Sequence, residues 1–209
     1  MDAFVAQWGA RADALTDAAN PDEDAFLHAL LAGLHTLNRD ALPARVRTVF
    51  DRDGLRTGPV AGSGALQVLE IELDPGAIIR PHNHVGYCFA SVGMAGSALA
   101  QHFEVEGAAP PPGANLEAPF FVREVASTWL TPGRTTTLTR GRANIHMFRA
   151  GPEGATLLDV GVKFDRPGPG PRAFSVLHID DAPTDVGRRV YRAKWLGNIY
   201  AKRPTAKTE

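Results

Sequence analysis

Two hydrophobic periods divide the chain. Over residues 1 to about 50 the apolar positions recur at helical spacing, with Phe4, Val5, Trp8, Ala12 and Leu15 in one stripe and Phe26, Leu27, Leu30, Leu31 and Leu34 in a second. Between them Asn20-Pro21-Asp22-Glu23-Asp24 reads as a helix start, with Asn20 as the cap, Pro21 at the first position and acids in the first turn. From about residue 60 the period shortens to two. Leu69, Ile71 and Leu73 alternate with Glu70 and Glu72, the mark of a strand with one buried face, and Asp74-Pro75-Gly76 is a turn. Further short strands are expected at Cys88 to Val92, Ser97 to Val105, Ser127 to Leu130, Thr135 to Thr139, Ile145 to Ala150, Thr156 to Phe164 and Ala173 to Ile179. Repeated short strands predict an all-β sandwich or barrel with helices packed outside. Gly107 to Pro119 and Arg166 to Arg172 read as surface loops, and Ala201 to Glu209 as a polar, frayed end.

Composition narrows the field. A chain of 209 residues is enough for one substantial core. The expected division is a helical extension over 1–58, a barrel over 59–182 and a C-terminal extension and tail over 183–209. The formal net charge, 22 − 23 = −1, supplies no overall field to draw in nucleic acid or anionic membrane. The single Cys88 excludes an intrachain disulfide and fits a reducing compartment. No run is long enough to span a membrane, and Met1-Asp2-Ala3-Phe4 lacks the basic and apolar regions of a signal peptide. The expectation is a cytoplasmic protein with neither nucleic acid nor membrane as partner.

The chemistry concentrates in Gly76-Ala77-Ile78-Ile79-Arg80-Pro81-His82-Asn83-His84. Alternate residues of a strand share a face, so His82 and His84 are placed to bind one cation. Imidazole suits Zn, Fe, Cu and Ni, and a third ligand is needed; His146 in Asn144-Ile145-His146-Met147-Phe148 is the candidate. Arg80 is expected on the same strand face as the two histidines, within reach of an anionic substrate group, and Arg149 and Tyr87 are further pocket candidates. Asp159 interrupts the apolar Leu157-Leu158-Asp159-Val160, where a buried carboxylate must find partners or become neutral. His28, His35, His102 and His178 read as structural residues.

Gly76, His82, His84 and a later His resemble the two motifs of the cupin superfamily, whose fold is a double-stranded β-helix, or jelly roll, with the metal inside. The segment His82-Asn83-His84-Val85-Gly86, with Ser91 and Gly96, is similar to the corresponding segment of the cysteamine dioxygenase and plant cysteine oxidase family. Asn144 to Ala150 and Leu157-Leu158-Asp159-Val160 resemble that family's third-ligand strand and the acidic strand after it, and the similarity runs from about residue 20 to 180. The slot of the glutamate ligand of general cupins holds Cys88, which reads either as a thiolate ligand or as a small buried residue. The Pro-Pro-Tyr that often follows the acidic strand is missing, and so is the Ser-x-His-x-Tyr arrangement of the small-molecule cysteine dioxygenases.

The resemblance implies Fe(II) on His82, His84 and His146, with Zn, Ni or Cu as alternatives. It also implies an Asp159 that orients a ligand or the substrate, and dioxygenation of a small thiol, or of a peptide N-terminal cysteine, to a sulfinic acid with O₂. The same three histidines would also serve a metal cupin of another reaction type, a non-thiol dioxygenase or an isomerase, or a non-catalytic cupin that binds a ligand.

Overall fold

The computed structural model describes residues 2–35, 48–111, 116–164 and 174–197. Helix α1 is Asp2–Asp17 and α2 is Glu23–His35. The cap of α2 is Asp22, whose carboxylate accepts a hydrogen bond from the Ala25 N–H at 2.9 Å, so the helix starts later than the expected Asn20 cap. The expected helical residues 36–47, the loop Arg166 to Arg172 and the tail Ala201 to Glu209 lie outside the described residues. Among the described residues no helix is long and apolar enough to cross a membrane.

Ten strands follow: β1 Phe50–Arg52, β2 Leu55–Ser63, β3 Leu66–Leu73, β4 Ile78–His84, β5 Tyr87–Glu106, β6 Phe120–Leu130, β7 Thr135–Leu138, β8 Ile145–Lys163, β9 Phe174–Ile179 and β10 Val190–Gly197. They run in the order β1-β2-β3-β8-β4-β9-β10-β6-β5-β7, and a further β8–β5 pairing closes the ring. The fold is the expected jelly-roll barrel with two helices ahead of it. The sheet begins at Phe50, so the boundary expected at residue 59 falls inside β2. Strand β10 forms where an extension was expected, inserted between β9 and β6.

Two pairs of expected strands are single long ones. Strand β5 runs through residues 88–105 with register shifts between Gly93 and Ala95 and between Gly96 and Ala98. Strand β8 joins the stretches 145–150 and 156–163 through Gly151 and Gly154, the latter at φ +77°. These positions bend the strands without ending them, because the ladder resumes beyond each irregularity. Both strands therefore serve two halves of the barrel. The second half of β8 pairs with β3 and with the start of β5, while its first half pairs with β4 and with the end of β5.

Each face of these strands has its own core. Phe4, Trp8, Phe26, Leu27 and Leu30 of the helices pack on Val60, Leu66, Val68, Cys88, Ala90, Leu158 and Val160. Trp8 meets Phe26 edge-on at 5.7 Å. The Asp13 carboxylate accepts from the Ala65 N–H at 2.9 Å and ties α1 to the β2–β3 turn. The opposite, inner face holds Ile71, Leu73, Ile79, Ala98, Ala100, Phe148 and Leu157. A third cluster, with Phe103, Phe120, Ile145, Leu177 and Trp195, packs behind the other half.

Candidate metal centre

His82 of β4 is paired directly with His146 of β8, and His146 with His102 of β5; Val176 and Ala126 extend the same row on either side. Residues in one row of a ladder point to the same face, so the pairing alone brings three imidazoles side by side. His84, two residues after His82, joins them. The Nε2 atoms of His84 and His146 are 2.9 Å apart, and those of His146 and His82 are 3.1 Å apart. Ring centroids lie 4.6 to 4.8 Å from one another.

This arrangement fits a cation. His82 Nδ1 lies 2.8 Å from the Arg80 carbonyl, which can only accept, so Nδ1 carries the proton and Nε2 turns a lone pair to the other rings. A metal about 2.1 Å from two nitrogens that subtend a right angle sets them about 3.0 Å apart. Two of the three separations are near that value, and all three ligand nitrogens lie within 4.8 Å of one another. Burial pushes His82 down to about 4, with the Arg80 carbonyl opposing, and pushes His84 and His146 well below the usual imidazole range, helped by their neighbouring rings. All three are neutral at pH 7, the form that binds metal.

Neighbouring residues hold the rings. Asn144 donates to the His84 carbonyl at 2.9 Å and to the Thr139 carbonyl at 3.0 Å, and its side-chain oxygen accepts from the His84 N–H at 3.1 Å. Asn83 accepts from the Ser175 N–H at 2.7 Å and fixes β4 to β9. Phe89 lies 4.5 Å from His84 and Phe148 4.7 Å from His146, ring centre to ring centre, so apolar rings wall the cluster. Tyr87 stacks on Phe89 and is 6.4 Å from His84.

Several expected site residues lie elsewhere. A bulge between Ile79 and His82 resets the alternation, so Ile79 is buried on the inner face while the Arg80 side chain is exposed. Arg80 reaches the site through its carbonyl. Cys88 packs under the helices with Val160 and Val162, on the opposite face of β5 from Phe89 and Ser91. Burial pushes its thiol up to about 12, with Glu23 adding to the shift. The converging nitrogens are those of His82, His84 and His146, without Cys88. Arg149 is exposed, opposite Ile78.

Asp159 is buried at 4% exposure and paired with Ser91 across β8 and β5, on the same face as Leu157 and Gly161. Burial raises its carboxyl to about 6, and a hydrogen bond from Ser91 opposes the rise. Its Oδ1 has no hydrogen-bond partner. His102 was read from sequence as structural, yet it is 1% exposed, 5.8 Å from the His146 ring, and within 2.8 Å of the Thr136 hydroxyl through Nε2. Its signal in the sequence is the alternation Ala98, Ala100, His102, but only the β5–β8 register shows what it faces.

A closed jelly-roll barrel with three inward imidazoles has a centre able to hold a metal ion. No family model matches the sequence, and no curated protein matches it. Several solved structures are similar over part of the chain. KdgF from Halomonas sp. is 17% identical over 56% of this chain and 87% of that chain, with a TM-score of 0.40. An RmlC-like cupin from Shewanella frigidimarina NCIMB 400 is 19% identical over 57% of this chain and 85% of that one, TM-score 0.39. Oxalate decarboxylase from Bacillus subtilis is 21% identical over 56% of this chain and 27% of that one, TM-score 0.41.

Proposed function

We propose that the protein is an Fe(II)-dependent thiol dioxygenase that converts a small thiol, or the N-terminal cysteine of a peptide, to a sulfinic acid. The observation that carries the reading is an all-nitrogen cluster with, among the described residues, no carboxylate among its converging atoms. Fe(II) held by His82, His84 and His146 would keep positions free for a thiolate and O₂ side by side and lower the thiol pKa on coordination. The overall change, RSH + O₂ → RSO₂H, balances without an external reductant.

The chain's own groups have defined tasks. Ile79, Phe89 and Phe148 exclude water from the ligand nitrogens. Tyr87, beside Phe89 and near His84, contacts the substrate at the edge of the cluster. Asp159, with a carboxyl that titrates at about 6, holds or releases a proton at its unpartnered Oδ1. Cys88 stays outside the chemistry, as a packing residue under α2.

The test is metal analysis of anaerobically purified protein, followed by oxygen uptake with a panel of thiols and Cys-initiated peptides. One O₂ consumed per sulfinate formed supports the reading. Bound Zn or Ni with turnover of a non-sulfur substrate would replace it with a metal cupin of another reaction type.

A further inference from the structure

We propose that His102 is a positioning residue for His146, acting through a water molecule held between their Nδ1 atoms, on the premise that the three-histidine cluster binds a metal. Among the described residues, three buried side-chain polar atoms lack a hydrogen-bond partner: His102 Nδ1, His146 Nδ1 and Asp159 Oδ1. Two of the three belong to residues paired directly across β5 and β8. His146 turns its Nε2 to His82 and His84, so as a ligand it carries its proton on Nδ1. His82 satisfies the equivalent N–H with the Arg80 carbonyl, and His146 has no such acceptor. A buried donor left unpaired is costly, and ligand imidazoles almost always donate their second N–H to a fixed partner.

The rings of His102 and His146 stand 5.8 Å apart at 54°, with no direct bond from either Nδ1. On its other side His102 lines an open cavity of about 560 Å³ with a mixed lining that includes Glu104, Arg123, Val125, Thr136, Arg142 and Ala143. The Thr136 hydroxyl at Nε2 fixes the His102 ring. The His102 ring also has a backbone hydrogen bond with Ala143, which leaves Nδ1 unpartnered, and a water at Nδ1 can accept or donate in either tautomer. The contacts then run from His146 Nδ1 through water and His102 to Thr136 at the cavity.

Substitution of His102 separates positioning from packing. Co(II) affinity by chelator competition and the visible Co(II) absorption bands are measured for wild type, His102→Phe, His102→Gln and Thr136→Val, with melting of the metal-free proteins as the folding control. His102→Phe is expected to weaken Co(II) binding by about 10–100-fold and shift the bands, as loss of a ligand's hydrogen-bond partner does. His102→Gln, which keeps a polar reach, is expected to recover part of the loss, and Thr136→Val to show a smaller change in the same direction. Wild-type affinity and bands in His102→Phe would overturn the proposal, and so would equal damage from Phe and Gln. If His102→Phe does not fold, unchanged binding in Thr136→Val decides against it. A wild type that binds no Co(II) refutes the metal centre itself, a result distinct from either.

Discussion

Phe89 and Gly161 face each other across β5 and β8, and the Phe89 ring fills the place of a Gly161 side chain: a Cβ there would lie 2.2 Å from the ring edge. The same ring packs on His84, 4.5 Å from centre to centre. Gly161→Ala must therefore move Phe89 toward the ligand or strain the ladder. We expect a loss of about 1–3 kcal/mol in stability, typical of overpacking, together with weaker metal binding. Thermal melts and metal titration that both match wild type would contradict this coupling.

Each of His82→Ala, His84→Ala and His146→Ala is expected to abolish stoichiometric metal, because each removes one of three converging nitrogens. His28→Ala and His178→Ala are expected to retain it, since those rings lie outside the cluster. Metal content by mass spectrometry of the five purified variants checks the pattern; equal losses in all five would indicate misfolding instead.

Asp159→Asn preserves shape and removes the charge. Turnover is expected to fall about 10–100-fold with metal content largely kept. Burial raises the wild-type carboxyl to about 6. Wherever turnover needs the carboxylate, wild-type activity rises with pH through that value, and the Asn variant lacks the rise. Full activity in Asp159→Asn would remove Asp159 from the mechanism.

Acid should unfold the metal-free protein early. His82 has a folded pKa of about 4, below its ordinary 6.5, and His84, His102 and His146 are lowered in the same direction. Below pH 6.5 the unfolded chain takes up these protons and the folded chain does not, so stability present above 6.5 is lost as pH falls toward 4. Asp159, raised to about 6, works the other way, since the folded state binds its proton first, but one carboxyl opposes four imidazoles. Urea melts at pH 7.5, 6.5 and 5.5 should show falling midpoints, and bound metal should steepen the fall because protons compete for its ligands. A flat profile would contradict the depressed values.

Cys88 is expected to resist thiol reagents in the folded protein and to react fully in denaturant, since the thiol is buried and its pKa is pushed up to about 12. Cys88→Ala should keep full metal content. Rapid labelling of the native protein, or metal loss in the variant, would return Cys88 to the site.

The pairing of His82 with His84 was legible because a strand has period two whatever its neighbours, and His146 stood out in a second short apolar segment. Arg80 lies off the expected face because a bulge adds a residue to the count, and Pro81, which cannot donate to the ladder, is its local sign. Strands β5 and β8 were each read as two, since glycines that bend a strand look like glycines that end one. The place of His102 depends on a register set between residues 44 apart, which no local pattern encodes. The motif slot of Cys88 leaves a thiolate ligand and a small buried residue both open, and the strand parity that puts Ala90 and Val92 under the helices decides for the buried one.

The placement of the ligands also bears on how the chain becomes a working protein. His84 and His146 are 62 residues apart in sequence, and β4 finds its other neighbour only in β9. During synthesis the first two ligands emerge long before the third, and the row across β9, β4 and β8 cannot assemble until β9 has left the ribosome. Such distant pairings make folding slow. Loading of a metal on the three histidines would thereby come late in the life of each molecule, after translation has passed the barrel strands.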